Sequence, residues 1–321
     1  MFLFLFICAA MLIALNSGYS RISCADAVKV FFHPGESDYS LILLKMRLPR
    51  IVLSVFCGMG LALSGCTLQA VTENPLADPG ILGINAGAGF MVMVFYAFFP
   101  SLHINSMLYL PVFAMIGGLA AAGLLYGFSR RGGKLKPEYL LLGGIGVSAG
   151  FSALMLVRGA DMENNSYQTV ARWMAGNIWG SGWHQVHTLF PYLLVLIPFL
   201  FTRVKNIDIL VLGEETACGL GLKTETERRL LLFIAVGLAS SCISVSGGIG
   251  FVGLVAPHIA RKLAGPRHRS LLAASMLAGG LLLLLADTMG RSLFQPIEIP
   301  AGIVVSVLAA PYFLYLLRKQ M

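Results

Sequence analysis

Charge is missing from long stretches of this chain. No charged side chain occurs between Leu230 and Val245, and apolar runs of similar length recur from one end of the sequence to the other. In hydrocarbon a backbone has to satisfy its own hydrogen bonds. A helix of about 20 apolar residues does so while crossing a core roughly 30 Å thick. The chain is 57% hydrophobic and 12% charged, and its mean hydropathy is +0.80. A soluble domain carries about twice that charged fraction. These features predict an all-α polytopic membrane protein.

Taken in order, the runs predict about ten transmembrane helices in a single domain, residues 1–321. They fall at about Met1–Gly18, Arg47–Ala70, from Gly80, Met107–Phe128, Tyr139–Val157, His187–Phe201, Leu230–Val245, Gly247–Leu263, Ser270–Thr288 and Ala301–Leu317. The first run lacks the basic leader of a signal peptide, which favours a retained span. With both termini cytoplasmic, fifteen of the 23 Lys and Arg residues fall inside and eight outside, as the positive-inside rule requires. The formal charge of +8 then reflects basic cytoplasmic loops, not a nucleic-acid partner.

Between spans, Ser20–Lys45 is polar, with Asp26, His33, Pro34, Gly35, Glu36 and Asp38. Arg158–His187 holds all three tryptophans, Trp173, Trp179 and Trp183, which predicts a helix lying at the membrane surface. His184 and His187 stand i,i+3, a spacing open to a metal, although interface histidines are commoner and no metal is assigned. The six cysteines (Cys8, Cys24, Cys57, Cys66, Cys218, Cys242) form no C-x-x-C and read as small core hydrophobes. No Walker A, H-E-x-x-H or G-x-S-x-G pattern is present, so the chain does not read as a hydrolase or a self-powered machine.

The stretch Gly247–Lys262 is glycine-rich and apolar, carries Pro257 and His258, and runs into Arg261, Lys262, Arg267, His268 and Arg269. Gly248, Gly250 and Gly253 fit G-x-G-x-x-G, but a dinucleotide loop follows a soluble strand, and the segment before this one is apolar and helical in pattern. The better reading is a packed membrane turn, broken at Pro257, whose glycines let backbones approach.

Three motifs now align. Arg47-Leu48-Pro49-Arg50, Asn74-Pro75-Leu76-Ala77-Asp78-Pro79 and Gly250-Phe251-Val252-Gly253-Leu254-Val255-Ala256-Pro257-His258-Ile259-Ala260-Arg261 resemble the FecCD-type permeases. These are the membrane subunits of ABC importers for iron–siderophores, haem and cobalamin. Asp287-Thr288-Met289-Gly290-Arg291 and Glu298-Ile299-Pro300-Ala301-Gly302 resemble the same family. The resemblance runs from about Arg47 to Leu317.

It implies the type II ABC importer permease fold in a prokaryotic cytoplasmic membrane. The implied partners are a second permease subunit, identical or paralogous, two ATP-binding cassette ATPases and an extracytoplasmic substrate-binding protein. There is no cofactor, because ATP is bound by a separate subunit. The implied cargo is an iron–siderophore complex, with haem or cobalamin as the alternative. Site roles follow from the resemblance in the same way. Arg47, Arg50 and Arg291 would meet carboxylates of the binding protein, a task suited to the bidentate guanidinium. Interfacial snorkelling or an Asp287–Arg291 pair is the plainer use of these residues. Leu212, Gly213, Glu214, Glu215, Ala217, Leu220 and Gly221 would form the helix that couples to the ATPase; the bland alternative is a solvated connector. Asn74, Pro75 and Leu76, with Pro137 and Glu138, would flank the cytoplasmic gate.

Two other classes fit less well. A proton-coupled transporter needs ionisable groups within its spans, where essentially only Asp287 qualifies. An intramembrane enzyme needs paired catalytic groups at one depth, and none are visible.

Overall fold

The computed structural model describes residues 2–17, 30, 39–99, 106–131, 134–135, 137–178, 180–293 and 297–320. Asp26, the His33–Asp38 motif, the turn at 100–105, Lys136 and Trp179 lie outside the described residues, as do the side chains of Arg131, Lys134 and Pro137. In chain order the helices are α1 (Phe2–Asn16), α2 (Leu48–Val71), α3 (Ile84–Phe98), α4 (Ser106–Ser129), α5 (Pro137–Gly159), α6 (Asn164–Met174) and α7 (Trp183–Thr202). They continue with α8 (Val204–Leu210), α9 (Glu214–Gly219), α10 (Thr224–Ser246), α11 (Val252–Ala264), α12 (His268–Ser292) and α13 (Ala301–Gln320). A π-helical stretch, Leu41–Arg47, leads directly into α2. Between α4 and α5, Arg130–Arg131 and Lys134–Leu135 pair as a two-stranded antiparallel ribbon.

One helix answers each predicted span. Among the described residues six are long and apolar enough to cross a membrane, while α1, α3 and α13 contribute shorter apolar stretches. Most boundaries extend beyond the apolar runs, because helix ends accept polar residues that reach water or find a partner on a neighbouring element. Thr224–Arg229 thus continues α10 outward from its apolar middle.

The middle of the bundle is α2, buried along nearly its whole length against α10, α11 and α12. Lipid is as apolar as leucine, so close backbone packing and interhelical hydrogen bonds have to hold such helices together. Gly58 of α2 lies against Gly279 and Gly280 of α12, where a Cβ would come within 2.9 Å of the Gly280 Cα. Ser64 Oγ donates to the Ala235 carbonyl of α10 at 2.6 Å. The outer helices turn apolar side chains outward instead: Phe4 and Phe6 on α1, Leu142, Leu156 and Val157 on α5, Leu194 and Val195 on α7. A surface this apolar is stable only against lipid or another protein.

Helix α11 departs from expectation in two ways. It begins at Val252, and its 13 residues span only about 20 Å, too little to cross the core. It also runs through Pro257 where the sequence predicted a break. Proline cannot donate to the carbonyl four residues back, which here is that of Gly253. Gln69 Nε2 donates to the Gly253 carbonyl instead, at 3.3 Å, so the helix continues with the acceptor satisfied. Gly253 itself packs against α2, where a Cβ on Gly65 would run into its backbone. Gly250 has open space around it, so of the predicted packing glycines it alone is not required by a close approach. Gly248 meets the end of α6, its N–H donating to the Trp173 carbonyl at 3.2 Å. His258 lies edge-on to Tyr312 of α13, with ring centroids 5.7 Å apart.

Candidate functional site at the α9 end of the bundle

The connector from α7 to α10 carries the predicted coupling residues. Sequence patterning drew one short amphipathic helix over Leu210–Gly221, with Gly221 as its stop. The structure has two shorter pieces. In α8, Val204, Ile207 and Leu210 are buried against the bundle; this i, i+3, i+6 spacing was the signal available in the sequence. Gly213 then takes φ +97° and Gly221 φ +81°, backbone that L side chains rarely adopt. Between these two glycines stands α9, with Glu214 and Glu215 in its first turn and Ala217 buried. Val211, Leu212 and Leu220 are exposed. Apolar side chains beside carboxylates, on a segment outside the spans, form a surface suited to a partner.

Three polar ties hold this end of the bundle together. Arg203, at the end of α7, lies 3.7 Å from Glu227 of α10. Asp208 of α8 accepts the backbone N–H of His268 at 3.0 Å and lies 2.7 Å from its ring Nδ1. This puts a carboxylate at the N-terminus of α12, where the helix dipole favours it. The third tie is the ion pair of Arg228 with Glu73, which crosses from α10 to the turn between α2 and α3.

That turn holds the predicted gate residues. Helix α2 ends in a Schellman motif: the Glu73 N–H bonds to the Ala70 carbonyl at 3.4 Å and the Asn74 N–H to that of Gln69 at 3.1 Å. The left-handed position of the motif is Glu73, at φ +51°, where glycine is the usual residue. Asn74 Oδ1 then accepts the Leu76 N–H at 2.8 Å, and Pro75 is exposed. Thr72, Glu73, Asn74, Glu138, Leu141, Glu214 and Arg228 together line one cavity of about 460 Å³. The structure therefore brings one residue from each half of the predicted gate, Asn74 and Glu138, and the first residue of α9 to a single space. Glu73 and Arg228 were not singled out in the sequence, because nothing local shows that they meet across 155 positions.

The two longest motifs also touch. Asp78, buried in the same turn, accepts the Gly80 N–H at 2.8 Å and faces the backbone N–H groups of Phe251 and Leu254 at the start of α11. A Cβ on Gly253 would lie 3.0 Å from its Oδ2. An anion at a helix N-terminus satisfies orphan donors, so Asp78 anchors the half-length helix α11 to the α2–α3 turn.

At the opposite end, the three predicted docking arginines are turned inward. Arg50 pairs with Asp287 of α12 at 2.8 Å and with Glu298 at 2.8 Å. Arg47 Nη1 donates to the Leu15 carbonyl at 2.7 Å, and Arg291 donates to the carbonyls of Ala14 and Ser17. Cations at the last carbonyls of a helix cap its C-terminus; here two arginines cap α1. Side-chain exposure is 12% for Arg50 and 5% for Arg291, against 38% for Glu298. Nearby, the tryptophan-bearing segment forms α6, whose Trp173 is buried. Trp183 Nε1 donates to the Leu44 carbonyl at 2.8 Å and its ring stacks with that of His187.

Comparison with known proteins decides the family. A model described as "FecCD transport family" matches residues 4–319. The chain is a member of the FecCD transport family. This FecCD permease is 43% identical to the iron(3+)-hydroxamate import system permease protein FhuG of Bacillus subtilis (strain 168), over 98% of this chain and 95% of that protein. It is 41% identical to the iron-uptake system permease protein FeuC of the same organism, over 96% and 93%. It is 34% identical to the Fe(3+) dicitrate transport system permease protein FecD of Escherichia coli (strain K12), over 88% and 87%. Among solved structures, an inward-facing putative metal-chelate type ABC transporter superposes with a TM-score of 0.85 at 30% identity, covering 99% of this chain and 97% of that one. The FecCD permease is thus a non-enzymatic, multi-pass membrane subunit of an ABC transporter.

Proposed function

We propose that this permease carries ferric siderophore complexes across a prokaryotic cytoplasmic membrane, with the α9 end facing the cytoplasm and both termini on that side. The observation that carries the reading is full-length similarity to iron(3+)-hydroxamate, iron-uptake and iron-citrate permeases. Two ATPase subunits supply the energy and contact α9, whose exposed Leu212 and Leu220 suit a partner's cleft. A second permease copy or paralogue completes the path. The Asn74–Leu76 turn and the Pro137–Glu138 start of α5 form the gate around the shared cavity. A binding protein docks on the opposite end, where Arg50 and Glu298 lie nearest the surface. Arg47 and Arg291 act from beneath by holding the last turn of α1.

The test is uptake of radiolabelled ferric hydroxamate by proteoliposomes holding the permease, its ATPase and its binding protein. ATP-dependent accumulation is expected. Accumulation of haem or cobalamin, with none of ferric hydroxamate, citrate or catecholate, would overturn the cargo assignment.

A further inference from the structure

An importer needs a route from the surface its ATPase pushes to the constriction its cargo passes. We propose that Arg228 and Glu73 are positioning residues of the transport cycle, forming the tie through which a displacement of α9 moves the α2–α3 turn. The inference rests on the reading of α9 as the ATPase contact.

The link between α9 and Arg228 is stiff. The Gly221 N–H bonds to the Cys218 carbonyl at 2.9 Å, the Leu222 N–H to that of Ala217 at 3.0 Å, and the Thr224 N–H to that of Leu222 at 2.9 Å. Helix α10 starts at once, and Arg228 stands in its second turn. A motion of α9 therefore reaches Arg228 without passing through a slack loop.

The far side of the pair is unusual in its backbone. Glu73 fills the left-handed position of the Schellman motif, which favours glycine because an L side chain is strained there. The capping bonds come from backbone groups alone, so the Glu73 side chain contributes nothing to ending α2. Its carboxylate reaches Arg228, which is 5% exposed while Glu73 is 44% exposed. A nearly buried guanidinium is costly to leave unpaired, so the pair resists separation, and the next residue is the predicted gate residue Asn74. A side chain carried against backbone preference, joined to the element beyond α9, is what a pulling contact requires.

The experiment uses the assembled transporter in proteoliposomes, reading ATP hydrolysis and ferric hydroxamate uptake together. Glu73→Gly cuts the tie, and relief of the left-handed backbone offsets only part of the cost of the unpaired guanidinium, so the variant should melt below wild type yet retain the ATPase and hydrolyse ATP. Its uptake per ATP should fall about tenfold, within the range of coupling between distant sites. Glu73→Gln, which keeps the backbone strain, should lose uptake per ATP to a similar extent, and the charge exchange Glu73→Arg with Arg228→Glu should restore most of the ratio lost in either single change. A merely structural pair would give the reverse: a wild-type ratio in Glu73→Gly, with Arg228→Gln harmed only in yield and melting. That result would overturn the proposal. Failure of the α9 reading shows separately, as both ATPase retention and uptake kept at wild-type level after residues 214–221 are replaced by a Gly/Ser run.

Discussion

Arg50 and Asp287 close the seam between α2 and α12 from 237 positions apart. Asp287 Oδ1 accepts Nη2 at 2.8 Å and Nε at 3.0 Å, while Oδ2 accepts Nε at 3.1 Å. Arg291 lies 3.8 Å from the same carboxylate, so one buried acid balances two arginines. Asp287→Asn should destabilise the fold by about 3–5 kcal/mol, because it strands buried cations. The midpoint of thermal unfolding in detergent reads this. Adding Arg50→Gln should recover part of the loss, since the two residues act as a pair. Strictly additive effects would show that the pair is not coupled.

Docking should respond to the acid beside Arg50. Glu298 takes one arm of Arg50 without touching the Asp287 pair, so Glu298→Gln frees a donor while leaving the core intact. Capture of the binding protein should tighten by about twofold to fivefold, the scale of a half-exposed ion pair. Arg47→Glu and Arg291→Glu should instead reduce solubilised yield, through loss of the α1 cap. Equilibrium binding to immobilised permease separates the two; unchanged affinity for Glu298→Gln would move the docking contact away from Arg50.

Close packing of α2 on α11 makes a contrast between glycines. Gly65→Ala and Gly253→Ala should each cost about 1–3 kcal/mol, because the added methyl forces two backbones apart. Gly250→Ala should leave stability unchanged, having nothing within 4 Å. Equal effects at all three positions in a denaturation series would contradict the packing described here.

For α9 the decisive variants are Gly213→Pro and a Gly/Ser run over residues 214–221. Proline holds φ near −65°, against the +97° that Gly213 adopts. A flexible run cannot transmit a rigid displacement. Both should insert normally and still capture the binding protein, yet lose the ATPase on co-purification, or lose uptake. If the Gly/Ser variant keeps both, the contact lies elsewhere, with Arg261–Arg269 the next candidate.

Much was legible before any tertiary contact. Apolar run length determines which segments can cross a bilayer, so α2, α4, α5, α7, α10 and α12 were recognisable from composition along the chain. A short helix ending at Gly221 was also visible, because a glycine stop is a local property, whereas its start after Gly213 was not. Other features are decisions of the tertiary structure. Pro257 reads as a helix breaker until Gln69, from another helix, supplies the missing donor to Gly253. Arg47 and Arg291 read as surface cations until α1 presents open carbonyls for them to cap. Glu73 and Arg228 read as two unremarkable charges, one in a turn and one at a helix start, until packing of α10 beside α2 brings them together. Periodicity and composition report how a segment meets its solvent, whereas a polar group inside a membrane protein is decided by which partner the fold delivers to it.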